Sequence, residues 1–137
     1  NHLHRFSEWK QVFFFFSAHL EPGGAFIFDI NTEHGLSTYP DEAPVIIRGQ
    51  NNFMTIEYYH QKKSFIDMQV TIFEQQLDQS FQKLEATITE RSFPRERVDF
   101  ALRTHFKEVR VQDPENRRVT RWSNELLYTC IKSPSCN

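Results

Sequence analysis

The chain has 137 residues, a formal net charge of -2 and two cysteines. That length supports one domain with its own core, while the near-balanced charge implies no strongly basic face for nucleic acid. No stretch approaches the roughly 20 apolar residues of a membrane span, so neither nucleic acid nor a membrane is expected as partner.

Cys130 and Cys136 do not make a disulfide framework, and a reduced, cytoplasmic setting is expected. The six histidines lack zinc-ligand spacing, and no metal site is expected.

Ser7 is expected to cap the first helix, with Glu8 in a first turn that favours an anion. Trp9, Val12, Phe13, Phe16 and Leu20 follow at helical spacing. The run FFFF at Phe13 to Phe16 exceeds what one buried face needs. Phe14 or Phe15 should therefore pack on a partner or a missing segment, or lie exposed. Pro22, Gly23 and Gly24 end the helix, because glycine takes the left-handed backbone and proline cannot continue it.

Ala25 to Ile30 reads AFIFDI, a continuous apolar run that predicts a strand buried on both faces, as in a parallel sheet covered by helices. Ligands bind beyond the carboxyl ends of such strands. That marks Asp29, Asn31 and Thr32, although Asn31 and Thr32 would equally serve as caps of a turn. Residues 33–44 read as loop with one helical turn, carrying Tyr39 and Pro40.

From Val45 to about Arg91 the chain alternates with period two, which predicts an antiparallel meander with one apolar and one polar face. Met54, Ile56 and Tyr58 share one face, as do Ile66, Met68, Val70 and Ile72, and then Leu84, Ala86 and Ile88. Glu57, Asp67, Gln69, Thr71, Lys83, Glu85, Thr87 and Thr89 take the other. HQKKS and LDQS are the turns.

Pro94 opens a second helix, with Val98, Ala101, Leu102 and His105 toward the core. Phe106 to Asp113 and Asn124 to Lys132 read as two strands joined by a polar loop. Arg117, Arg118, Arg121 and Trp122 in that loop are either a clamp for an anion or a solvated turn, and the turn is the simpler reading. A lone strand of the buried kind needs more neighbours than this chain offers. Its parallel partners are expected from a missing N-terminal half.

Asn1 to Leu3, Trp9, HLEPGGAFIFDINT at His19 to Thr32, SFPRERVDFALRTHFKEVRV at Ser92 to Val111 and the ending WSNELLYTCIK together resemble the C-terminal half of a class I S-adenosylmethionine-dependent methyltransferase of the small-molecule branch. The resemblance implies an α/β fold, the C-terminal part of a Rossmann-like sheet (strands five to seven) with an inserted antiparallel β-meander. Residues 1–40 would be helix and fifth strand, 41–92 the insertion, and 93–137 the second helix and last two strands. In that family all strands are parallel except the last, which inserts antiparallel beside the fifth.

The same resemblance implies S-adenosylmethionine as cofactor of the full-length protein and a small-molecule acceptor. His2, following the family's fourth strand, would touch the cofactor. Asn31, Thr32, Tyr39 and Tyr58 are the candidates for acceptor binding, and no catalytic base is assigned. The family's glycine-rich cofactor loop has no counterpart, since Gly23-Gly24 follows a helix and precedes a strand, so the chain alone is expected to bind the cofactor poorly. His105 stands where relatives often have glycine, a substitution that histidine's tolerance of the left-handed region softens.

Two other readings stay open. One is a non-catalytic module that uses the meander as an interface, with Phe53, Phe65 and Phe73 interrupting its alternation. The other is an apolar-ligand carrier on a closed barrel, against which GGAFIFDINT argues. An unpaired edge on the buried strand would favour a homodimer.

Overall fold

The computed structural model describes residues 1–39, 43–62 and 64–134. Pro40, the turn at Lys63 and Cys136 lie outside them. The first helix, α1 (Phe6–His19), is capped by Arg5 in extended backbone and not by Ser7. The Arg5 N–H donates to Glu8 Oε2 at 2.8 Å. This is the reciprocal half of a capping box, in which a carboxylate three residues into the helix reaches back to the cap; Ser7 lies already inside the first turn. Trp9 and Phe13 are buried, whereas Phe14 is 61% exposed and Phe15 is also outside the core. Gly23 takes φ +79°, and the Gly24 N–H closes the turn onto the Glu21 carbonyl at 2.9 Å.

The turn feeds β1 (Ala25–Asn31), which is followed by the short α2 (Glu33–Thr38). After the meander come α3 (Arg95–Arg103), β6 (Glu108–Gln112) and β7 (Glu125–Ile131). Strand order is β1-β7-β6, and β7 is antiparallel to both neighbours. Thus β1 and β6 run parallel with a reversed strand between them, the order expected for the end of the family sheet.

Trp9 and Phe13 of α1 and Val98, Ala101 and Leu102 of α3 share one core with Phe26, Ile30, Val109, Leu126, Tyr128 and Cys130. Each large side chain so buried contributes about 1.5–3 kcal/mol. The expected burial of β1 on both faces is met on one. Phe26 and Ile30 are buried, while Ile27 on the opposite face is 60% exposed, because α1 and α3 both join the core on the phenylalanine side. Among the described residues, β1 has a neighbour on one edge only.

The meander is a four-stranded antiparallel sheet in the order β2 (Val45–Arg48), β3 (Asn52–Lys62), β4 (Phe65–Gln75) and β5 (Phe81–Arg91). Register sets its apolar side chains in rows across the strands. Val45, Ile56, Val70 and Ala86 align, as do Ile47, Met54, Ile72 and Leu84, with Tyr58, Met68 and Ile88 nearer the α/β sheet. Phe53 and Phe73 stack at 4.7 Å on the polar side.

This sheet is anchored at one end. Ile66 and Glu90 are buried there, and the Arg91 guanidinium lies 4.5 Å from both the Phe65 and the Phe93 rings. The Arg91 N–H donates to the Asn1 carbonyl and the Ser92 N–H to the Ser64 carbonyl, each at 3.0 Å. From Phe81 to Ile88, β5 is exposed throughout.

Candidate functional site

Asn31, at the carboxyl end of β1, is the hub of the site. Its side-chain Nδ2 donates to Glu90 Oε2 at 2.9 Å, and its Oδ1 accepts from the Tyr39 hydroxyl at 3.3 Å. Its backbone is held by Asn1, which donates to the Asn31 carbonyl at 2.8 Å and accepts from the Asn31 N–H at 3.0 Å. Ser92 Oγ adds a bond to the same carbonyl at 2.9 Å. One residue therefore ties together the N-terminal segment, the strand end and the root of the meander.

Tyr39 stacks on Tyr58 with ring centres 5.0 Å apart and planes 20° from parallel. The stack is set by α2. Thr32 caps that helix, accepting from the Gly35 N–H at 2.9 Å and donating to the Ser123 carbonyl at 2.7 Å. A Cβ on Gly35 would fall 2.2 Å from the Asn124 carbonyl oxygen, so glycine lets α2 lie against the chain entering β7. Structure brings Asn31, Tyr39 and Tyr58 together, then, while the Thr32 hydroxyl serves the helix cap.

His2 lies apart from that trio, beside Asn1, Trp9, Phe28 and Asp29 on a cavity of about 160 Å³. Asn1 belongs to both places. At the same strand end Glu125 is opposite Asn31; burial first, and then the charges of Asp29, Glu115 and Asp113, hold its carboxyl above the usual range. The edge is thus acidic. In the last loop, Arg121 lies over the Trp122 ring at 4.4 Å, in the manner of a solvated turn.

Sequence reasoning missed Glu90, Asn1 and Ser92. The signal for Glu90 was in the alternation. It falls on the face of Leu84, Ala86 and Ile88, and a carboxylate there needs a partner when buried. Asn1 and Ser92 act by bonds to the backbone of Asn31, which no sequence pattern encodes.

No protein-family model matches the chain, and neither does any curated protein. Solved structures do. An S-adenosylmethionine-dependent methyltransferase from Clostridium acetobutylicum ATCC 824 superposes with TM-score 0.77 at 21% identity, covering 98% of this chain and 55% of that one. The sugar N-methyltransferase KedS8 from Streptoalloteichus sp. ATCC 53650 gives 0.68 at 13% identity, covering 94% and 50%. CalS10, an amino pentose methyltransferase from Micromonospora echinaspora, gives 0.64 at 15%, covering 96% and 53%.

The fold is that of the C-terminal half of a class I S-adenosylmethionine-dependent methyltransferase. The chain spans about half the length of the solved methyltransferases it matches.

The cavity beside His2 does not by itself fit that cofactor. Ligand pockets run from about 300 Å³ upward, and the cavity at His2 offers about 160 Å³. Gly23-Gly24 lies at the amino end of β1, opposite the edge where Asn31 stands.

Proposed function

We propose that the chain is the C-terminal portion of a cytoplasmic small-molecule methyltransferase and forms the acceptor side of its site. The observation that carries this reading is the convergence of Asn31, Glu90, Tyr39 and Tyr58 at the carboxyl end of β1, within a methyltransferase fold.

The half that holds S-adenosylmethionine would pair with the open edge of β1 and complete the cavity beside His2. The stacked tyrosines offer an aromatic wall that excludes water. Asn31, braced by Glu90, fixes that wall to the sheet. Methyl transfer is an in-line displacement, so holding the acceptor in line is the main contribution a protein makes. The negative edge formed with Asp29 and Glu125 suits an acceptor bearing an amine, in keeping with the amino pentose methyltransferase and the sugar N-methyltransferase among the similar structures.

The test is to incubate the chain, extended upstream through its native gene, with methyl-labelled S-adenosylmethionine and a mixture of small amines and alcohols. Label recovered in a small molecule is the expected outcome. Donor binding with label only on protein or nucleic acid would overturn the small-molecule reading. A second reading, a non-catalytic interaction module, draws on the uncovered apolar rows of the meander, and donor binding by the extended chain would exclude it.

A further inference from the structure

β5 is an edge strand of the meander, 11 residues long, and the backbone groups along an antiparallel strand face its two sides in turn. The Ser80 carbonyl accepts from the Gln76 N–H at 2.8 Å, and the Ser92 N–H donates to the Ser64 carbonyl at 3.0 Å. The even-numbered residues therefore serve β4, and the odd-numbered ones face outward. The far end of this outer edge is already in use. His4 Nε2 donates to the Thr89 carbonyl at 2.9 Å, and the Arg91 N–H donates to the Asn1 carbonyl at 3.0 Å. Before them come Phe81, Lys83, Glu85 and Thr87, all exposed. Among the described residues, no loop or side chain bonds their outward N–H and C=O groups.

Native sheets blunt such an edge with proline, a bulge, a short strand or an uncompensated lysine. The other edge strand, β2, has 4 residues. β5 has neither proline nor glycine, and its pairing with β4 runs without a shift in register. Its lysine is compensated, since Lys83 Nζ lies 2.6 Å from Glu85 Oε1 on the same strand.

We infer that the open stretch of β5 pairs antiparallel with the same stretch of a second copy of this chain, about a two-fold axis at Leu84. Register singles out this partner. The open residues are symmetric about Leu84, so Phe81 meets Thr87 of the second copy and Lys83 meets Glu85 of the second copy, each contact being made twice. These are hydrogen-bonded pairs that exchange two backbone bonds each, and every outward group of the stretch is then used. Each Lys83 also stands between two carboxylates, and each Glu85 between two ammonium groups. Other registers fail. An axis at Lys83 or at Glu85 sets like charges directly opposite. An axis at Ala86 runs the partner onto Thr89, which His4 holds. An axis at Gln82 draws in Gln79, whose φ of +68° belongs to the turn.

The two meanders become one continuous eight-stranded sheet. The contact is made of backbone bonds along one edge and buries little surface, so the dimer is reversible and concentration-dependent. It does not rest on the catalytic reading, and it leaves the open edge of β1 to a parallel strand.

Sedimentation equilibrium across a concentration series tests this in the chain extended upstream through its native gene. The wild type should show a monomer–dimer equilibrium. Lys83→Glu and Glu85→Lys each set like charges opposite one another twice and should weaken it about 10-fold or more. The double variant K83E/E85K should return it to within about threefold of wild type. Both positions are exposed, and far-UV circular dichroism checks that each variant keeps the fold. Leu84 gives an independent reading, because its Cα would lie about 4.5 Å from that of its own copy, within reach of a disulfide. In a Cys136→Ser background, with Cys130 buried, Leu84→Cys should oxidise to a covalent dimer. Thr87→Cys, about 20 Å from its own copy along the strands, should not. A wild type that stays monomeric up to about 1 mM overturns the inference. So does a dimer that neither charge reversal weakens, or one that Leu84→Cys fails to lock.

Discussion

Asn31 Nδ2 lies 2.9 Å from Glu90 Oε2, and this bond joins the carboxyl end of β1 to the last residues of β5. Glu90 is 8% exposed, so its carboxylate depends on this donor. Asn31→Ala removes it and should cost about 2–4 kcal/mol, the usual penalty for leaving a buried charged group short of a partner. Glu90→Gln keeps an acceptor for the Asn31 amide and should cost less than about 1 kcal/mol. Urea unfolding of both variants checks the order; equal losses would show that the carboxylate charge, not the hydrogen bond, holds the joint.

The Tyr39–Tyr58 stack gives a second expectation. Tyr58→Ala in the catalytically complete protein should raise the KM for acceptor about 10- to 100-fold, since an aromatic wall is worth about 1–3 kcal/mol. The KM for the methyl donor should stay within about twofold. Steady-state kinetics with each substrate varied in turn separates the two. A change in donor KM alone would put Tyr58 on the wrong side of the site.

Gly35 is the third test. With an added Cβ 2.2 Å from the Asn124 carbonyl oxygen, Gly35→Ala must displace backbone, not a flexible side chain. The loss should reach about 2 kcal/mol or more. Thermal unfolding reads it directly, and an unchanged Tm would mean that α2 does not lie where Thr32 and Ser123 place it.

Alkaline pH gives the fourth. Tyr128 is buried and donates to Asp99 Oδ1 at 2.8 Å; burial, and then the Asp99 hydrogen bond and charge, push its phenol well above the ordinary 10. Burial pushes the Cys130 thiol up to about 12. Both folded values lie above the unfolded ones. Stability from these groups is whole below the unfolded values, and it falls as pH rises past about 9 because the unfolded chain then releases protons first. Tm measured from pH 7 to 11 should drop over that range, and Cys130→Ala should flatten the start of the fall. A flat profile in the wild type would contradict the burial of both groups.

Much of this fold was legible in the sequence because its signals were local. The proline-glycine-glycine stop, the period-two alternation and the helical spacing of Trp9 and Phe13 each state a backbone preference within a few residues. The faces of the meander followed from alternation alone, and pairing register bears them out. Ser7 failed as a cap because the competing device, the Glu8 carboxylate reaching back to the Arg5 N–H, starts the helix two residues earlier.

The single-sided burial of β1 was not legible, since a continuous apolar run reads the same whether its second face is covered within the chain or from outside it. At the site, residue types pointed to Asn31, Tyr39 and Tyr58. Their joining through Glu90 and Asn1 is a contact between segments 59 and 30 residues apart, which no local pattern carries.

The central claim is that this chain forms one wall of a methyltransferase site whose donor-binding half pairs with the open edge of β1. Calorimetric titration of S-adenosylmethionine into the chain alone, and into the chain extended upstream through its native gene, tests that claim most directly. Saturable binding by the extended protein, with no heat from the chain alone, is the predicted result. Failure of the extended protein to bind, or equal binding by the chain alone, would contradict it.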